Sequence, residues 1–312
     1  MVTKIHTKMK VSKIKLYLGT ICAAGFIAIS SFFYFTDTQL EGEMLWQLSQ
    51  SSIGYRVYHR IYNHRLNELN KTIENNVSFN ECSINAKWVK DESLSNLKSS
   101  FSFSNEKCPD IVNLHHDTYP LSDNGKDWFI SHYIDEYPLT ADKTKKNNYA
   151  LTFEDNGFRV VTDSLDDHWI YIVSNMIMPK KYAVEFDYYS KTAIREQLQF
   201  DLFTSSLADR FRIISEYGEI LFFDAVQRGY FLKRFYEKEC KMPIGTTNHI
   251  RLEIDGNRVV YFVNNKKELS VTINQLLVKP GHLIVLFWNN EDKKPIDISI
   301  SNFAIYTETG GN

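Results

Sequence analysis

From Tyr149 onward, apolar and polar residues alternate with a period of two over short runs, each closed by a turn residue. In YAVEFDYYS (182–190), Val184, Phe186 and Tyr188 fall on one side of a strand, and Glu185, Asp187 and Tyr189 on the other. In HIRLEID (249–255), Ile250, Leu252 and Ile254 oppose Arg251, Glu253 and Asp255. HWIYIVS (168–174), QLQFDLFT (197–204), RFRIIS (210–215) and YFLKRFY (230–236) repeat the pattern, and Asp255-Gly256-Asn257 between two such runs is a hairpin signal. About thirteen runs of this kind, with no helix-period stretch among them, predict an antiparallel two-sheet jelly-roll sandwich over residues 149–307, followed by a short tail at 308–312.

The period changes upstream. Leu45, Leu48, Tyr55, Tyr58, Tyr62, Leu66, Leu69 and Ile73 recur at helical spacing, which predicts a juxtamembrane helix or stalk within 37–74, its apolar face spanning 40–73. Gly54 is a potential break in it. Arg56, His59, Arg60, His64 and Arg65 interleave with that face, so the helix suits either neighbouring membrane proteins and anionic headgroups or packing on its own globular domain. Residues 75–148, rich in Ser, Asn, Asp and Lys, predict an irregular, loop-rich segment. His115 and His116 beside Asp117 are adjacent on one chain and would point to opposite sides of a strand, so they suggest no metal site.

The N-terminus reads differently again. Lys4, Lys8, Lys10, Lys13 and Lys15 precede the uncharged run Leu16–Phe35. A helix of about 20 residues spans a hydrocarbon core of about 30 Å. The lysines predict a cytoplasmic tail at 1–15, a transmembrane signal anchor at 16–36 and an extracytoplasmic remainder, that is, a single-pass membrane protein. The rival is a cleaved signal peptide, but the run exceeds the usual apolar core of about 7–15 residues.

A formal net charge of −2 gives no basic field, which argues against nucleic acid as a partner. Aromatic residues make up 14% of the chain and fit a pleated, strand-rich core. The four cysteines, Cys22, Cys82, Cys108 and Cys240, contain no C-x-x-C pair. Cys82 and Cys108 flank the Ser-rich stretch and are a disulfide candidate in an oxidising compartment; two separate thiols are the alternative. No cofactor motif is present in the sequence.

The pair HIRLEIDGNRVVYFVNNKKEL (249–269) and the closing strand ISNFAIY (300–306) resemble the concanavalin A-like lectin/glucanase superfamily, laminin G-like domains included. The resemblance covers about residues 149–307 and implies a sandwich fold, while its functions range over lectins, hydrolases and adhesion modules. Its retaining glucanases resemble an E-x-D-x-x-E or E-x-D-x-E strand. Here Glu185 and Asp187 supply the first two positions, but Tyr189 or Ser190 stands at the third, and neither protonates a leaving oxygen near neutral pH. Glycan binding asks only for rings and polar groups on a solvent-facing sheet, for which Trp169, Tyr171, Glu185, Asp187, Tyr189, Arg228, Tyr230 and Arg234 are candidates, with Trp288 more suited to the core. The sequence therefore predicts a membrane-anchored, non-catalytic module for glycan or polysaccharide at the cell envelope. The alternatives are a structural subunit of a membrane complex and a glucanase-type hydrolase with a non-standard acid.

Overall fold

The structure is a computed structural model, and it describes residues 52–95, 128–134, 149–154, 156–162, 168–174, 177–191, 196–206, 209–216, 218–228, 230–289 and 296–308. The predicted anchor at 16–36 and the tails lie outside these residues. Among the described residues no helix is long and apolar enough to cross a membrane.

By contacts the chain divides at His64/Arg65. Helix α1 (Ser52–Glu74) runs unbroken through Gly54, so the glycine does not end it. The second unit is mainly β, with two antiparallel sheets forming a sandwich. Among the described residues, one sheet has nine strands in the order β1 (Val77–Ser78), β15 (Lys266–Ile273), β14 (Arg258–Val263), β13 (Thr247–Asp255), β7 (Lys181–Ser190), β17 (Ile296–Glu308), β5 (Gly157–Thr162) and β4 (Tyr149–Glu154), with β2 (Trp88–Lys90) also on β17. The other has eight: β11 (Tyr230–Phe231), β10 (Ile220–Gln227), β9 (Asp209–Glu216), β8 (Glu196–Ser206), β16 (His282–Asn289), β6 (His168–Ser174) and β3 (Trp128–Ile134), with β12 (Tyr236–Glu239) also on β10.

Alternation decides which residues fill the space between the sheets. Val184, Phe186 and Tyr188 are buried, whereas Glu185, Asp187 and Tyr189 are half-exposed. Phe186 stacks on Phe200 at 6.0 Å and on Phe303 at 6.3 Å, and Tyr188 stacks on Phe287 at 5.7 Å, so rings from the two sheets interdigitate. The Asp255–Arg258 turn is the predicted two-residue hairpin, with Gly256 at φ 62°. At Gly157 the constraint is space: a Cβ there would lie 1.9 Å from the Ile300 carbonyl oxygen.

Two expectations need correction. The run 230–236 is not one strand. It breaks into β11 and β12 because both pair with β10, at Val226–Gln227 and Ile220–Phe223, with a loop between them. Residues 75–148 are not wholly irregular, since β1, β2 and β3 come from them and join the sheets.

The stretch between β1 and β2 forms a strap. Register places Ser270, Val260, Glu253, Ala183 and Tyr306 side by side across five strands, all on the side facing away from Phe186 and hence away from the core. Yet Val260 is 1% exposed and Ala183 0%. Cys82 is tied to the Ser270 end of this row, its backbone N–H donating to Oγ at 2.9 Å, while β2 pairs with Tyr306–Glu308 at the other end. Six residues of extended chain reach about 20 Å, the width of four strand spacings. Segment 82–88 therefore crosses the outer face and buries the row from outside. Phe79 fixes its start, stacked on Tyr236 at 5.0 Å and edge-on to Phe223 at 5.6 Å.

Candidate functional site

The strap crosses the Ser270–Tyr306 row of the outer face of the nine-stranded sheet, and the neighbouring positions on β7 and β13 carry charge. The β7–β13 register sets Asp187 opposite His249 and Glu185 opposite Arg251. His249 meets both acids, with Nδ1 2.9 Å from Asp187 Oδ1 and Nε2 3.6 Å from Glu185 Oε1. Arg251 donates from Nη1 to Glu185 and from Nε to Glu253 Oε1 at 2.9 Å, and its guanidinium lies 5.2 Å from the Tyr306 ring. Burial works against the Arg251 charge, but the hydrogen bonds it donates to Glu253 and Glu185 outweigh it and hold the guanidinium above its ordinary pKa.

A β-bulge completes the group. The β7–β17 register slips between Ser301 and Ala304, and Asn302 within the slip takes φ 54°. This backbone aims its side-chain amide at Asp187 Oδ2, 2.8 Å away. The side chains of Glu185 and Asp187 stay 22% and 25% exposed, enough for an outside group to reach them. Donors (Asn302, Arg251) and acceptors (Glu185, Asp187) thus stand within one patch, a combination suited to ligand hydroxyls. Tyr189, one step along the same face, is half-exposed, while Ser190 is buried. Of the site residues predicted from sequence, Glu185, Asp187 and Tyr189 share this face. His249, Arg251 and Asn302 were not singled out, although alternation in 249–255 already placed Arg251 outward.

The eight-stranded sheet holds a second polar group that the sequence reading missed. Asp201, Arg212 and Asp224 sit directly opposite one another on β8, β9 and β10. Arg212 clamps Asp224 with two bonds of 2.6 Å, and Arg210 Nε lies 3.0 Å from Asp201 Oδ2. Asp201 and Asp224 are each 4% exposed. Burial pushes the Asp224 carboxyl up from its ordinary value, and Arg212 pulls partly against that shift. The available signal was a charge on each of three successive strands, Asp201, Arg212 and Asp224.

The basic, aromatic run at 228–238 divides. Tyr230 is buried, and its neighbour Phe231 is the exposed ring, with the Arg212 guanidinium 5.0 Å from it. Tyr230 is therefore a core residue and not a surface platform. Arg234 stacks on Phe222 at 3.9 Å and is neutralised by Glu216 and Glu237, both at 3.0 Å, while exposed Arg228 turns at φ 52°. None of the three joins the Glu185–Asp187 group. Trp169 and Tyr171 lie opposite Trp288 and Leu286 in backbone register, and the placement of their rings is outside the described residues. Cys82 is a free thiol bonded to Ser270, and its suggested partner Cys108 is outside the described residues. No cluster of three or more metal-binding side chains occurs among the described residues.

No family model and no curated protein matches this chain. Solved structures similar to it include a sialidase (13% identity, TM-score 0.37, 59% of this chain), of which the chain spans only 17%. A Bacillus licheniformis β-glucanase is similar at 12% identity and TM-score 0.41, over 62% of this chain and 98% of that one. A Bacillus subtilis protein of unknown function with a galectin-like fold is similar at 9% identity and TM-score 0.38, over 62% and 97%. At these levels the likenesses carry no weight for activity, and the sandwich stands on its own strand order.

Proposed function

We propose that this chain is a membrane-anchored, extracytoplasmic, non-catalytic module that binds a glycan or polysaccharide through the outer face of the nine-stranded sheet. The observation that carries the reading is the Glu185–Asp187–His249–Arg251–Asn302 patch, its first four members half-exposed and Asn302 exposed, in which a bulge fixes a donor against a carboxylate. Preset donors and acceptors favour hydroxyl recognition, because the groups lose little freedom on binding. A glucanase-type hydrolase needs an acid/base carboxyl at the third position of the motif, and Tyr189 and Ser190 stand where that resemblance would put it. The anchoring part of the reading is supported by the Lys-flanked run Leu16–Phe35.

The test is a glycan array with the full chain in detergent, wild type beside Asp187→Asn. Binding that falls about tenfold in the variant, the scale of one lost charge-assisted hydrogen bond, supports the reading. Wild-type binding to no glycan sinks it, and release of reducing sugar from a bound polysaccharide replaces it with hydrolysis. One observation favours a second reading, a structural subunit of a membrane complex: the strap already crosses part of the same face.

A further inference from the structure

The proposed function leaves one surface unused. Between Glu43 and Glu68 the sequence holds no acidic residue, yet it holds Arg56, Arg60 and Arg65 with His59 and His64. Helix α1 turns much of this stretch into a face. Positions 56, 60 and 64 are spaced by four, so Arg56, Arg60 and His64 follow one line along the helix, with His59 beside it. All four are exposed, whereas Ile61 and Tyr62 are half-buried.

This arrangement disfavours an isolated helix. Like charges four apart repel, and the first turn carries no acid to complement the helix dipole. An anionic surface lying along the line removes both costs. The chain itself limits what that surface is. The predicted anchor ends at residue 36 and α1 begins at Ser52, so the connecting residues keep the helix within about 55 Å of the bilayer even when fully extended. Headgroups are then the polyanion held at high local concentration by tethering.

We infer that the Arg56–Arg60–His64 line, with His59, rests on anionic phospholipid headgroups of the membrane that anchors the chain. The inference stands on the anchoring part of the proposed function and is independent of glycan binding. Two arginines near a charged bilayer contribute a preference of about thirtyfold for the docked state, screened by salt.

The experiment is hydrogen–deuterium exchange on the full chain in lipid nanodiscs, with phosphatidylcholine alone or mixed with phosphatidylglycerol. Amides between Arg56 and His64 are expected to exchange at least tenfold more slowly in the anionic discs. The difference should vanish in Arg56→Gln/Arg60→Gln and survive in Arg56→Lys/Arg60→Lys. A chain that does not co-elute with the discs overturns the anchoring and the inference with it. A chain that co-elutes but exchanges alike in both lipids overturns the inference alone, as does protection that arises only on adding a soluble acidic polysaccharide.

Discussion

Asn302 donates its side-chain amide to Asp187 Oδ2 at 2.8 Å, from a backbone held at φ 54°. Asparagine tolerates this left-handed conformation better than most residues, and the bulge that imposes it also aims the amide. Local strain and hydrogen bonding are thus joined at one position beside the exposed carboxylates.

Asn302→Gly keeps the backbone and removes the amide, so it should change stability by no more than about 1 kcal/mol while weakening ligand binding. Asn302→Ala should cost about 1 kcal/mol more than glycine, because a Cβ is unfavourable at this φ. Urea denaturation of the two variants measures the difference, and equal stabilities would contradict a strained bulge.

The Arg212–Asp224 clamp predicts strong non-additivity. Arg212→Leu alone leaves a carboxylate buried without its guanidinium and should cost about 3–5 kcal/mol. Arg212→Leu/Asp224→Leu should recover most of that loss. A double-mutant cycle by chemical denaturation checks it, and additive losses would mean that the two side chains act separately.

How much of this was legible follows from where each signal lies. The inward set Val184, Phe186 and Tyr188 could be read because alternation is local to one strand. Strands β1 and β2 could not, because two or three residues carry no period and their partners lie at the far end of the chain. Asp201 shares its face with Gln197 and Gln199, and Asp224 with Phe222 and Val226, but alternation reports direction and not cover, so it does not reveal that both carboxylates are buried. Tyr230 was placed on the surface for a related reason: treating 230–236 as one strand hid the loop between β11 and β12, and Phe231 is the exposed ring.

Acid should remove part of the stability through Asp297. Hydrogen bonds from Arg159, at 2.8 and 2.9 Å, hold its carboxyl below the usual value of 3.8. Since the folded pKa is depressed, the contribution is present above the unfolded value and is lost as pH falls through the folded one. The stability difference between wild type and Asp297→Asn should therefore shrink on acidification below about pH 4. A difference that stays constant down to about pH 2 would exclude this linkage.

Cys240 should resist alkylation in the native state. It is 2% exposed, and burial pushes its thiol up to about 11, so little thiolate exists and reagent has little access. Iodoacetamide followed by peptide mapping should modify Cys82 before Cys240, with Cys240 reacting at the rate of unfolding. Rapid native labelling of Cys240 would show that this edge of the sandwich opens locally.

Among the described residues, the strand latest in sequence is an interior strand. β17 lies between β7 and β5 and also takes β2, and Ser95 bonds the Ile305 backbone across 210 residues of sequence. Before β17 emerges, β7 has no neighbour on one side and β5 and β2 have nothing to join them to the sheet. The nine-stranded layer therefore closes only after β17 has been made, and loss of Ile296–Glu308 removes its middle instead of trimming an edge. Folding with such distant contacts is slow, and the open flank of β7 is exposed to misassembly in the interval.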